Sequence, residues 1–153
     1  MRIKSKKKTI ILLTGFALLI FWIWLCLRPV EIVAVHQESN YSDVLVRNFP
    51  LTNKGKINWW LKNKDILKKK YNIPKPDSDG DYTVIFWDFG DGYKVTDGYD
   101  NLCFDDMPPP VNCIEKDAVF AVKQYGDDDV IFATYEGRYS LNRNGEIIKI
   151  KSE

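Results

Sequence analysis

The chain has 153 residues, 45% of them hydrophobic and 28% charged, which fits one ordinary domain plus a short extra segment and excludes disorder, collagen-like repetition and a two-lobed enzyme. Its 22 Lys+Arg and 21 Asp+Glu give a formal charge of +1, but the balance is split along the chain. Residues 1–28 hold six bases (Arg2, Lys4, Lys6, Lys7, Lys8, Arg28) and no acid, which leaves 16 of the 22 bases against all 21 acids, a net −5, for the remainder.

Residues 9–27, TIILLTGFALLIFWIWLCL, carry no charge. As a helix they span about 28 Å at ~1.5 Å per residue, close to the ~30 Å hydrocarbon core of a bilayer. A core helix would show a polar stripe, and this run has none, so it predicts a transmembrane helix. A cleaved signal peptide would end in small residues of A-x-A type, whereas this run ends in Trp22, Trp24, Leu25, Cys26, Leu27 and Arg28. A lipidated Cys26 would want a small residue where bulky Leu25 stands. The expectation is an uncleaved signal anchor: a cytoplasmic basic tail at residues 1–8, the membrane span at 9–27 and a periplasmic domain at 28–153. The lysine-rich flank keeps the N-terminus inside, so the protein is expected in the inner membrane with a single pass, and Trp22 and Trp24 fall at the far interface. Gly15 has no G-x-x-x-G partner, which favours a plain anchor over a helix-pairing segment.

Beyond the anchor, VEIVAVH (30–36) reads as a strand or an extended juxtamembrane arm and VLVRNF (44–49) as a second strand, stopped by Pro50. Thr52 is a candidate N-cap for a helix from Asn53 to about Tyr71, terminated by Pro74 and Pro76. Ile57, Trp60, Leu61, Leu67 and Tyr71 recur at helical spacing and form its apolar face; Trp59 and Ile66 fall on nearly the opposite side, where burial is the commoner outcome and an exposed pair the alternative. YTVIFWDF (82–89) is apolar on both alternations, as in a central strand. NLCF (101–104), AVFAVKQY (118–125), VIFATYE (130–136), RYSLN and EIIKIK are further strands, the last four forming an antiparallel meander. The fold class is α+β: an N-terminal transmembrane helix followed by one small domain with a main helix packed on an antiparallel sheet.

Cys103 and Cys113 are expected to form a disulfide, since a metal site would want C-x-x-C spacing and further ligands, and the only histidine, His36, is far away in sequence. An oxidising compartment favours the bond; two unbonded buried thiols are the alternative. Pro108 to Pro110 forbid a helix between the two cysteines.

No catalytic set emerges. His36, nine residues past the anchor and without G-x-S-x-G anywhere, reads as an exposed polar side chain near the membrane. Asp77, Asp79 and Asp81 alternate as in a calcium loop, but Tyr82 and Asp88 stand where an EF-hand needs Gly and Glu, so a solvated turn is expected. Asp88-Phe89-Gly90 matches a kinase tripeptide by letters alone. No metal and no cofactor is expected. Residues 54–70 hold seven lysines and one acid, whereas 77–106 hold nine aspartates and one base. The basic helix either pairs with the Asp-rich loops, meets an acidic partner or faces anionic lipid. Trp59, Ile66, Lys62 and Lys69 are its candidate binding residues.

The block NFPLTNKGKINWWLKNKDILKKKYNIP (48–74), followed by DGDYTVIFWDFGDGYK, NLCFDD and NCIEK, resembles an enterobacterial family of small single-pass membrane proteins of unknown function. The likeness covers nearly the whole chain, and it implies an anchored envelope protein with no assigned activity or catalytic residue. The expected function is a non-catalytic, membrane-anchored module that binds a protein in the periplasm, with no role for nucleic acid. An immunity protein neutralising a toxin, which adjacency to a toxin gene would favour, and an envelope hydrolase using a carboxylate pair are the alternatives.

Overall fold

The computed structural model describes residues 2–151, with side chains from residue 5 onward; the side chains of Arg2 and Lys4 in the basic tail lie outside the described residues. Helix α1 (Arg2–Leu27) runs without a break from the tail through the span. Its segment Ser5–Leu27 is long and apolar enough to cross a membrane, and the rest of the protein buries none of it. Such an apolar surface needs lipid as its cover.

The domain that follows contains β1 (Glu31–Glu38), β2 (Tyr41–Arg47), α2 (Asn53–Tyr71), β3 (Tyr82–Asp88), β4 (Asn101–Cys103), β5 (Cys113–Glu115), β6 (Ala118–Gln124), β7 (Ile131–Thr134), β8 (Gly137–Leu141) and β9 (Ile147–Ile150). Seven strands form one sheet in the order β1-β2-β3-β6-β7-β8-β9, and β4 pairs with β5 alone. The expected meander is β6 to β9. One pair departs from the antiparallel expectation: β2 and β3 run parallel. The cause is α2, which crosses from the end of β2 back to the start of β3, so that β3 sets out in the same direction.

Local chemistry explains where α2 begins and ends. Thr52, in extended conformation (φ −89°, ψ 149°), accepts a hydrogen bond from the Gly55 amide on its hydroxyl at 3.0 Å. Gly55 is required by that closeness, because a Cβ there would lie 2.8 Å from the Thr52 Oγ1. At the other end Asn72 turns left-handed (φ 56°), its N–H donating to the Lys68 carbonyl at 3.0 Å while the Ile73 N–H donates to that of Leu67 at 3.3 Å, and Pro74 lies just beyond.

Both faces of β3 are buried, as its two apolar alternations require. Val84 and Phe86 point toward α2, where they join Val44, Val46, Ile57, Trp60, Leu67, Phe120 and Phe132. Trp87 points the other way, into a smaller cluster with Leu45, Phe104 and Ile114 under the excursion of residues 89–117. The helix face is wider than its spacing predicts: Trp59 is half-buried against Phe49 and Phe86, at ring-centroid distances of 5.1 and 5.7 Å, whereas Ile66 is 62% exposed. Lys56 leaves the lysine surface altogether. It is buried and its Nζ donates to the Val119 carbonyl of β6 at 3.0 Å, tying helix to sheet, and desolvation lowers its pKa.

Candidate functional site

His36 and Asp43 are direct partners across the β1–β2 ladder, so their side chains rise from the same face of the sheet. The excursion 89–117 folds over that face. It is closed by the Cys103–Cys113 disulfide, whose cysteines sit opposite one another in the β4–β5 ladder, and by paired backbone hydrogen bonds between Lys94 and Cys113. This brings Phe104 flat against the His36 ring, with centroids 3.8 Å apart and planes 12° from parallel.

His36 is therefore buried, contrary to the expectation of an exposed side chain near the membrane; its partners come from residues 57 and 70 positions further along the chain. Its Nδ1 lies 2.7 and 2.8 Å from the two carboxylate oxygens of Asp106. A carboxylate only accepts, so Nδ1 carries a proton, and in the neutral imidazole the Tyr93 hydroxyl donates to Nε2 at 2.8 Å. Carboxylate, imidazole and hydroxyl thus stand in the order of a hydrolytic triad, with a phenol in the nucleophile's place. The phenol is not activated: burial and the neighbouring Asp106 both raise the Tyr93 pKa. The arrangement acts as a latch holding the excursion to the sheet. Replacing His36 with alanine is expected to cost about 1.5–2 kcal/mol, discounted for the half-exposed Asp106, which water can satisfy. Urea unfolding followed by tryptophan fluorescence measures the loss.

A cavity of about 330 Å³ opens beside the latch, and Glu38, Asp43, Asp105 and Asp106 line it with His36. Burial raises the Asp43 pKa, opposed by the 2.7 Å hydrogen bond from Trp87 Nε1 and by His36, and reinforced by Glu38. A raised carboxyl pKa means that the folded state holds the proton more tightly than the unfolded chain. Stability from this group is present below the unfolded value near 3.8 and is lost as pH rises through the folded pKa. Asp43→Asn keeps an acceptor for Trp87 and removes the buried charge. The variant is therefore expected to be at least as stable as the parent at neutral pH, with its advantage vanishing below about pH 4, as denaturant midpoints at the two pH values would record.

A second concavity, of about 490 Å³, lies where α1 hands over to the domain. Cys26, Arg28, Pro29 and Val30 form one wall, and Trp59, Asn63, Ile66 and Lys70 of α2 the other. Those four α2 residues fall at steps of four, three and four, a single helical stripe. Two of the predicted binding residues, Trp59 and Ile66, meet in this groove, while Lys62 and Lys69 are exposed and do not line it. Sequence reasoning missed Arg28, Asn63 and Lys70. The stripe 59–63–66–70 was a usable signal, but nothing local says which side of α2 meets the anchor.

The lysines of α2 do not pair with the Asp-rich loops among the described residues. Among the described residues the ion pairs join His36 to Asp106, Lys94 to Asp97 and Glu115, and Lys116 to Asp100, and none uses an α2 lysine. The Asp77–Asp81 segment is a turn whose carboxylates accept from the protein's own amides: Asp77 Oδ1 from those of Asp79 and Asp81, and Asp81 Oδ1 from that of Gly126. Among the described residues no three potential metal ligands cluster. The predicted Cys103–Cys113 bond is formed, and Cys26 is a free, exposed thiol within the span.

No curated protein and no solved structure matches the chain. A family model does, over residues 3–151, nearly the whole length from basic tail to last strand, and with the uncovered apolar helix it establishes membrane association. The chain belongs to the family described as "Enterobacterial putative membrane protein (DUF943)".

Proposed function

We propose that the protein is a non-catalytic binding module, held by α1 in the inner membrane with its domain in the periplasm, that engages a protein partner through the excursion 89–117. One observation carries this reading. The excursion has almost no regular structure, yet it is fastened by a disulfide, the His36–Asp106–Tyr93 latch and a backbone bridge, while Val95, Tyr99 and Val111 stay 52%, 85% and 49% exposed on it. Long fastened loops are uncommon unless they serve function, and preordering lowers the entropic cost of binding. Tethering then raises the local concentration of any partner met at the membrane.

The test uses the full-length protein in cells, with a photo-crosslinking residue at Tyr99 or, as control, at Tyr125, which is half-exposed just past the end of β6 that lies away from the excursion. A discrete adduct from position 99 and none from 125 supports the reading; equal labelling at both removes it. A reporter fused after Glu153 checks topology, since it should be active only outside the cytoplasm. If the partner is a toxin, the protein is acting in immunity, and deleting its gene should expose the cell to that toxin.

The cavity beside the latch favours a second reading, an envelope hydrolase using carboxylates, because four acids converge there and the Asp43 pKa is raised. Against it, both Asp106 oxygens are engaged by His36 and one Asp43 oxygen by Trp87. Asp43→Asn separates the two: the hydrolase reading requires loss of cellular function, and the binding reading requires its retention.

A further inference from the structure

We propose that the groove between the end of α1 and the stripe 59–63–66–70 of α2 binds the headgroup of an anionic membrane phospholipid, a role separate from that of the excursion 89–117. Position comes first. Cys26 and Arg28, at and just past the end of the apolar span, form one wall, so the groove opens where the chain leaves the hydrocarbon layer and a lipid of that leaflet lies alongside. Its volume of about 490 Å³ falls within the roughly 300–1,000 Å³ of small-molecule sites.

Charge selects the ligand. Arg28 and Lys70 line the groove, no carboxylate does, and neither cation makes an ion pair among the described residues. Arg28 reaches no acid; its guanidinium stands 5.0 Å from the Trp24 ring centroid, and its buried Nε has no hydrogen-bond partner. A guanidinium left without a carboxylate partner is the cation that a phosphate group neutralises, through its remaining N–H donors. A choline or ethanolamine headgroup would bring an ammonium into a groove that offers it no counter-charge, which favours a net-anionic lipid. The apolar remainder of the lining, Val30, Trp59 and the exposed Ile66, suits the glycerol backbone and the first acyl carbons. Lys62 and Lys69, exposed beside the groove, add attraction for an anionic surface without touching the headgroup.

The test is native mass spectrometry of the full-length protein in a neutral detergent, titrated with phosphatidylglycerol or phosphatidylcholine of identical acyl chains. One phosphatidylglycerol should be retained at least tenfold more tightly than phosphatidylcholine. The R28Q/K70Q variant should lose at least tenfold, and K62Q/K69Q less than threefold. Ile66→Asp places a carboxylate at an exposed position of the lining and should weaken phosphatidylglycerol about tenfold, so it supplies the answer if R28Q/K70Q fails to fold. Equal retention of the two lipids, undiminished binding by R28Q/K70Q or I66D, or an equal loss in K62Q/K69Q overturns the proposal. Millimolar inorganic phosphate should not displace the lipid; displacement would mark a free-anion site and remove the lipid assignment.

Discussion

Phe86→Ala is expected to lower the unfolding free energy by about 3–5 kcal/mol, the largest effect of any single substitution considered for this chain. Phe86 is fully buried on the central strand β3 and is the hub of an aromatic cluster. Phe49, Trp59, Trp60 and Phe120 surround it at ring-centroid distances of 5.0, 5.7, 6.1 and 5.7 Å. These rings are anchored on a strand, a helix and a connecting loop, so they have little freedom to collapse into the space that a lost phenyl group leaves. The destabilisation should therefore include the cavity cost and not the transfer term alone. Trp59 rests on Phe86 and also lines the groove at the membrane end of α2, so its fluorescence should change along with stability. Urea unfolding of the full-length protein in detergent, followed by that fluorescence, measures both. A loss below about 1 kcal/mol would show that the cluster repacks and is not the rigid centre described.

The contrast between Phe86 and His36 shows what the sequence makes legible. Phe86 lies in YTVIFWD, where apolar side chains on both alternations announce a strand covered on both faces, and the prediction depends on nothing outside those residues. The boundaries of α2 are readable for the same reason, because Thr52 and the Asn72–Pro74 stretch cap it with local chemistry. His36 also occupies a segment whose β-branched residues allow a strand or an extended arm, but its burial depends on Tyr93, Phe104 and Asp106, all brought over it by a distant excursion. The proximity of His36 to the anchor in sequence suggested exposure, and that inference failed because the face of β1 carrying His36 is roofed by the excursion. Likewise, a single strand pattern does not state whether its neighbour runs parallel, and β5, three residues long, is too short to register as a period. The groove at α1 lies between these cases: its helical stripe is written in the chain, and the side of α2 that meets Arg28 is a tertiary fact.

Converting Cys103 and Cys113 together to serine is expected to cost about 2.5–3 kcal/mol, the chain-entropy estimate for closing so short a loop. The loss should fall chiefly on the excursion, because the β4–β5 piece lies outside the seven-stranded sheet and is otherwise held by the burial of Phe104 and Ile114 and by a few hydrogen bonds. The β4 and β5 strands are three residues each and pair only with one another, so on release the disulfide leaves the small cluster of Phe104 and Ile114 with Leu45 and Trp87, the Lys94–Cys113 bridge, the Phe104–Asn112 hydrogen bonds and the His36 latch. The expected loss should accordingly be uneven. Hydrogen exchange should quicken in residues 94–115 before it changes in β3 or β6, whose pairing lies in the seven-stranded sheet. The double variant should also weaken a partner bound at Tyr99 by more than it lowers global stability, because ordering the excursion would then have to occur on binding. Uniform loss of protection across the sheet would instead show that the disulfide stabilises the whole domain through its unfolded state, with the excursion no looser than the rest.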